Sequence, residues 1–387
     1  MRVFDRELVV IGSNEYSVQG GHCYFRSGLE QQIEDLARHF RKAYHYSPQS
    51  HLTFFGFEFS SQVVVRPFAI RHHESRRELW HRRREYWQSV RSIYAAHPGA
   101  LFLVFIPDSY IGLIAAIYLK LHHATFFVRI TANQIEELKV RGHRLVRKIL
   151  YLLLKWPYYF FMRWLFKGVV QIYTGRKVYY TNNFAYSIVS SNIIESDIQV
   201  RPPLFATAKN LQYVGRFDTL KGLEYFFAAI PLVKSKISVR IVGFGEPADV
   251  AKVKRRVASL SAYYDITFVG QVPYGPKLFA EYDQADIVVM PSLYETQGKA
   301  HLEAMARGVA VVATNIPAIS AIIVNGINGL LVPPRSREAI AEAIDILIAD
   351  NNLRTKLVTN AYQTIRGLTM QKSTNAIINA LNDHQLI

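Results

Sequence analysis

The sequence predicts an α/β protein built from two Rossmann-like domains facing each other across a cleft. The chain has 387 residues, more than one core holds, because single cores stop growing at roughly 250 to 300 residues. Half of its residues are hydrophobic and a fifth are charged, the make-up of a folded chain and not of a disordered one. In both halves short apolar runs alternate with longer periodic segments, the pattern of right-handed βαβ units around a parallel sheet.

In the first half, LVVIGSN reads as a strand and residues 27–41 as a helix. LTFFGF and ALFLVFIP follow as strands, then a helix through Tyr118, then the strand ATFFVRI. The second half is cleaner: LQYVG, a helix from Gly222, SVRIVGFG, a helix, ITFVG, a helix, ADIVVMPS, a helix and VAVVAT. Pro202-Pro203 marks a joint. The expected domains are therefore residues 1–205 and 206–365, with a closing segment, 366–387, whose helical stretch from Met370 is expected to return to the first domain. Open α/β sheets bind ligands at the carboxyl ends of their strands, so two in series place a binding crevice between them.

The longest charge-free stretch, Gly308 to Pro334, exceeds the roughly 20 apolar residues of a membrane helix. Pro317, Asn325-Gly326, Asn328-Gly329 and Pro333-Pro334 break it into strand and turn, so no spanning helix is expected. Cys23 is the only cysteine, which rules out a disulfide within the chain and any multi-cysteine zinc site, and suits a reducing compartment. The opening MRVFDRELVVIGS puts acidic residues beside a very short apolar run, unlike a secretory signal. The expected location is the cytoplasm.

The formal charge is +16, and residues 1–205 hold 27 Lys or Arg against 15 Asp or Glu. Such a field attracts anionic surfaces in general: phospholipid, nucleic acid or phosphorylated substrates. Residues 139–167 carry eight Lys or Arg and no acid among Leu, Ile, Trp, Tyr and Phe. Arg141, Arg144, Lys148 and Lys155 fall on one stripe at 100° per residue, and Pro157 is expected to end or bend the helix. This is the composition of a helix lying in an anionic lipid interface, although a core-facing helix with a solvated basic face shows it too. A second basic cluster, Arg76, Arg77 and Arg82 to Arg84, points the same way or towards a phosphate-bearing acceptor. No nucleic-acid partner is expected, since no reader motif accompanies the charge.

The most informative stretch is PSLYETQGKAHLEAMARGVAVVAT, Pro291 to Thr314. It sets Glu295 at the end of a strand and Glu303 eight residues on, with Gly298 for a tight turn between them. Backbone N–H groups near Lys299 and Ala300 open the next helix, a ready cradle for phosphate or sugar oxygens. Upstream, YVGRFDTLKGL puts Arg216 and Lys221 after a strand and at a helix opening, within reach of one diphosphate. Two cations there neutralise charge on a departing nucleoside diphosphate. Alone, Glu303 is more often a solvated helix glutamate, Arg216 and Lys221 ordinary surface charge, and the GxG of Gly243 a strand-ending turn.

Taken together and in this order, the Glu295-x7-Glu303 pair, the element Gly215 to Gly222, VGFG at 242–245, FVG at 268–270 and NGINGLLVPP at 325–334 resemble the GT-B retaining glycosyltransferases of family GT4. The resemblance covers residues 206–365. It implies that Arg216 and Lys221 hold the donor diphosphate, Glu303 the ribose hydroxyls and Glu295 the donor sugar near its anomeric carbon. Gly298 and the backbone after it complete the cradle, and backbone at Gly270, Gln271 and Val272 meets the base. The family chemistry is front-face hexosyl transfer with retention, from a nucleotide-diphosphate sugar to a lipid-linked or glycan acceptor, by an enzyme peripheral on the cytoplasmic face of a membrane. It implies no cofactor and no metal.

The match departs at Thr296 and Gln297, where relatives commonly carry a small residue and an aromatic, and at Ala321, where they carry a glutamate. In the first half it is looser. Gly20-Gly21 resembles the glycine-rich loop that approaches donor phosphate, or is a simple βα turn. Arg129, at the end of ATFFVRI, is a candidate to face the crevice, as is Asp108. A catalytically silent GT-B scaffold or regulator at a membrane is the alternative reading.

Overall fold

The computed structural model describes residues 3–12, 15–25, 29–50, 57–68, 82–106, 110–131, 145–175, 183–201 and 208–387. Asp108, Arg76, Arg77, Arg141, Arg144 and the Pro202-Pro203 joint lie outside them. The chain divides into two compact units, Met1–Asn192 with Met370–Ile387, and Ile193–Thr369. The division thus falls before the Pro202-Pro203 joint, and the closing helix Met370–Asp383 groups with the first unit.

The first unit is a parallel sheet of β1 (Phe4–Ile11), β4 (Phe40–Pro48), β6 (Val63–Phe68), β7 (Leu101–Ile106), β8 (Phe126–Ile130), β9 (Val170–Thr174) and β10 (Ala185–Ile188), in the order β10-β9-β8-β7-β1-β4-β6. Strand residues point alternately to opposite faces, and both faces are covered. Val9, Ile11, Phe102 and Val104 face one core, closed by the helices Arg83–Ala96, Tyr110–Leu121 and Leu145–Leu165. Leu8, Val10, Leu101 and Leu103 face the other, closed by Leu29–Ala37 and Met370–Asp383. Thr374 ties these last two helices by donating to Asp35 at 2.6 Å.

Several first-half expectations are corrected. The helix expected over 27–41 ends at Ala37, and β4 begins at Phe40. Gly20 and Gly21 do not form a βα turn. Both adopt positive φ (57° and 85°) between β2 (Tyr16–Gln19) and β3 (His22–Phe25), an antiparallel pair with Gln19 opposite His22. A two-residue turn with both φ positive matches the twist of a hairpin, and glycine takes it without strain. Pro157 does not end its helix, which runs from Leu145 to Leu165 with the proline inside.

The second unit is a parallel sheet of β11 (Asn210–Arg216), β12 (Ser238–Phe244), β13 (Asp265–Gly270), β14 (Ile287–Met290), β15 (Ala310–Thr314) and β16 (Leu330–Val332), in the order β13-β12-β11-β14-β15-β16. The outward order from β11 to β12 and β13, then from β14 to β15 and β16, makes the β11–β14 boundary the point where the strand order reverses. In such sheets that boundary opens a crevice for ligands at the strands' carboxyl ends. The charge-free stretch 308–334 is β15, a short helix Pro317–Ser320, and β16. Its two Asn-Gly turns are structural: Asn325 accepts from Leu331 N at 2.8 Å, and Asn328 accepts from Val324 N at 2.7 Å. Among the described residues no helix is long and apolar enough to cross a membrane.

Candidate active site

The loops that leave β11 and β14 carry the sequence-selected residues and are fastened to each other. Leu293 N and Tyr294 N both donate to the Leu220 carbonyl, at 2.7 and 3.3 Å. Asp218 accepts from Leu220 N at 2.8 Å and caps the single 3-10 turn Thr219–Lys221. Gly222 follows with φ 63°, and a Cβ there would stand 2.0 Å from the Pro291 carbonyl oxygen. Only glycine lets the two loops come this close.

That approach sets Lys221 against Glu295. Lys221 Nζ donates to Glu295 Oε1 at 2.5 Å, and Ser292 Oγ donates to the same oxygen at 3.0 Å. Arg216, at the end of β11, is more open and pairs with Asp218 Oδ2 at 3.2 Å. Gly298, at φ 80°, turns the chain into the helix Ala300–Ala306, with Lys299 as its N-cap. A side chain at Gly298 would meet His301 Nδ1 at 3.0 Å and Glu295 Cδ at 3.5 Å, so the turn, the acid and the histidine are immediate neighbours.

Glu303 lies on the same helix and is 7 % exposed. Tyr282 donates to its Oε2 at 2.7 Å. Burial pushes the Glu303 carboxyl above the usual carboxylate range, against the Tyr282 hydrogen bond and the Lys299 charge, which pull it down. Tyr282 is itself raised well above an ordinary phenol, first by burial and then by Glu303. Each residue of the pair therefore sits in a dry setting where charge interactions are strong.

Three contributors escaped the sequence reading: Tyr282, Tyr274 and His301. The tyrosines sit in or before the helix Pro276–Asp283, where an aromatic reads as core. Tyr274 OH is buried without a hydrogen-bond partner among the described residues, and the Glu303 charge is felt at it. His301 is fully buried, and neither ring nitrogen has a partner among the described residues. Burial lowers it to about 4, with Glu295 opposing and Lys221 reinforcing, so it is a neutral imidazole at pH 7. For His301 the available signal was a histidine in the run AHLEAMA, where every other residue but Glu303 is apolar.

The remaining candidates lie on other elements. Gly243 pairs in register with Gly215, and a Cβ on it would stand 1.9 Å from the Gly215 carbonyl oxygen. Gly270 ends β13 at φ 82°, and Gln271 and Val272 follow it outside regular structure. Gly20 and Gly21 are the exposed hairpin tip in the first unit. Arg129 is 2 % exposed. Its guanidinium donates to Gln32 Oε1 and, at 2.7 Å, to Ser190 Oγ, and Gln32 donates on to the Ser191 carbonyl at 2.7 Å. In this structure Arg129 belongs to a buried polar cluster that joins β8 to the helix Leu29–Ala37.

Residues 196–364 match the family described as Glycosyl transferases group 1, a match confined to the second unit. The lipopolysaccharide core biosynthesis glycosyltransferase LpsE of Rhizobium meliloti is 31% identical over 176 residues, 45% of this chain and 49% of that protein. The chain spans about half the length, or less, of the curated relatives it matches. Over nearly the full length the likeness is one of structure. Sucrose-phosphate synthase from Thermosynechococcus elongatus has a TM-score of 0.74 at 18% identity, covering 98% of this chain and 99% of that one. The Anabaena protein HepE in complex with UDP-glucose has a TM-score of 0.68 at 14% identity, covering 97% and 99%. The fold is GT-B, with two Rossmann-like α/β domains, and the family match supports a group 1 glycosyltransferase.

Proposed function

We propose that the chain is a retaining glycosyltransferase of family GT4. It moves a hexose from a nucleotide-diphosphate sugar to a lipid-linked or glycan acceptor at the cytoplasmic face of a membrane, without a metal or other cofactor. One observation carries this reading: Lys221, Glu295, Gly298 and Glu303 gather on two loops and one helix at the carboxyl edge of a single sheet. The relative named for lipopolysaccharide core biosynthesis and the neighbour with bound UDP-glucose support the acceptor class and the donor class.

In this reading Arg216 and Lys221 hold the donor diphosphate. Glu303, kept in place by Tyr282, takes the ribose hydroxyls, and Glu295 takes hydroxyls of the sugar near its anomeric carbon. Lys221 turns from Glu295 towards the phosphate as donor enters, so the carboxylate is freed where sugar arrives. The bond from the anomeric carbon to the diphosphate oxygen breaks as the two cations take up the charge left on that oxygen. The same oxygen accepts the proton of the acceptor hydroxyl, and the new glycosidic bond forms on the face the diphosphate leaves, so the anomeric configuration is kept.

The test is slow donor hydrolysis by the purified protein across a panel of nucleotide sugars, followed by NMR. The freshly released sugar is expected to carry the donor's anomeric configuration. Release of the opposite anomer would overturn the retaining mechanism.

A further inference from the structure

We infer that the outer face of the helix Leu145–Leu165 is a docking surface for anionic lipid, with Leu153, Trp156, Phe160 and Trp164 as the inserting side chains. This deepens the membrane-proximal reading above and uses none of the donor-site residues.

The helix is apolar on two sides. Met162 and Leu165, with Phe166 just beyond the helix end, are buried in the first unit's core. Leu153, Trp156, Phe160 and Trp164 are 67, 63, 65 and 48 % exposed. At 100° per residue these four fall within about 80° of one another, on the side opposite the buried residues. A surface helix ordinarily turns charge outward, and a continuous stripe of large apolar side chains marks a contact surface.

Charge selects the occupant. Residues 139–167 hold eight Lys or Arg and no acid, and Arg163 and Lys167 are exposed beside the stripe. Lys120, at the end of the helix Tyr110–Leu121, donates to the Lys167 carbonyl, which adds a third cation at that end. A second copy of this chain would bring the same cations against themselves, since a two-fold contact pairs one patch with its own image. An anionic headgroup layer attracts them, while tryptophan, with an apolar body and a polar N–H, suits the boundary between headgroups and acyl chains.

The experiment compares wild type with Trp156→Glu/Phe160→Glu in co-sedimentation with vesicles of phosphatidylglycerol and phosphatidylcholine in equal parts. Both positions are exposed, and thermal melting checks that the variant is folded. The expected result is binding by wild type, and a loss of about a hundredfold in partitioning by the variant, from two large apolar contacts removed. Brominated acyl chains are expected to quench wild-type tryptophan fluorescence. Undiminished partitioning of the folded variant would overturn the inference. So would a wild type that ignores the vesicles and is a dimer which the variant dissolves. Donor binding, measured by calorimetry without vesicles, is expected to be equal in both proteins, so failure here leaves the donor reading standing and the reverse also holds.

Discussion

At the scale of single residues, Lys221 is held by Glu295, and both are needed in the proposed transfer for different reasons. Removing the ammonium removes charge neutralisation that grows as the diphosphate departs. Lys221→Met is therefore expected to lower kcat by about 10²- to 10³-fold, read by coupled assay of nucleoside diphosphate release. A loss seen only in KM would instead assign Lys221 to ground-state binding. Glu303 was legible only by its spacing from Glu295 and the motifs around it. Its partner Tyr282 was not, because contact across 21 positions of sequence comes from the packing of two helices and leaves no local pattern.

At the scale of elements, the site depends on how closely two loops approach. Gly222→Ala places a Cβ against the Pro291 carbonyl oxygen, which cannot yield without moving the loop that carries Glu295. A cost of about 2 to 4 kcal/mol in unfolding free energy of the second unit is expected, measured by denaturant titration. Gly20→Ala, at an open hairpin tip with nothing within 4 Å of the added carbon, is expected to cost only the positive-φ strain of about 1 kcal/mol. The difference lies in surroundings that sequence does not display: both glycines have positive φ, and only one is closely faced by another backbone. The hairpin was missed for a related reason. Its strands are four residues each, and its first strand follows β1 so soon that a βα turn was the simpler reading. The strand β4 was missed because the alternating FRKAYHYSP continues the polar pattern of the helix before it. In the second unit the central strands β14 and β15 are apolar or nearly apolar runs buried throughout, so the alternation of strand and helix was readable directly.

At the scale of the whole molecule, two buried imidazoles link stability to acidity. Burial lowers His301 to about 4 and His45 to about 3, from an ordinary 6.5. Below 6.5 the unfolded chain takes up protons that the folded chain refuses. The stability present above that pH is therefore lost as pH falls towards 4, by about 3 kcal/mol for His301 alone if its full shift is expressed. Thermal melting between pH 7 and 4.5 is expected to show the decline, and His301→Leu is expected to make it shallower, leaving the share that His45 contributes. The two-domain plan was legible from length and alternation, whereas the division before Pro202 was not, because composition marks a proline joint more visibly than the packing that divides the units. The claim on which the functional account rests is that Arg216, Lys221, Glu295 and Glu303 serve one donor molecule. Calorimetric titration of UDP-glucose and related nucleotide sugars into wild type and Glu303→Ala tests it most directly. The account predicts binding of at least one donor by wild type and a loss of about 10- to 100-fold in the folded variant. Equal affinity in the two proteins would contradict it.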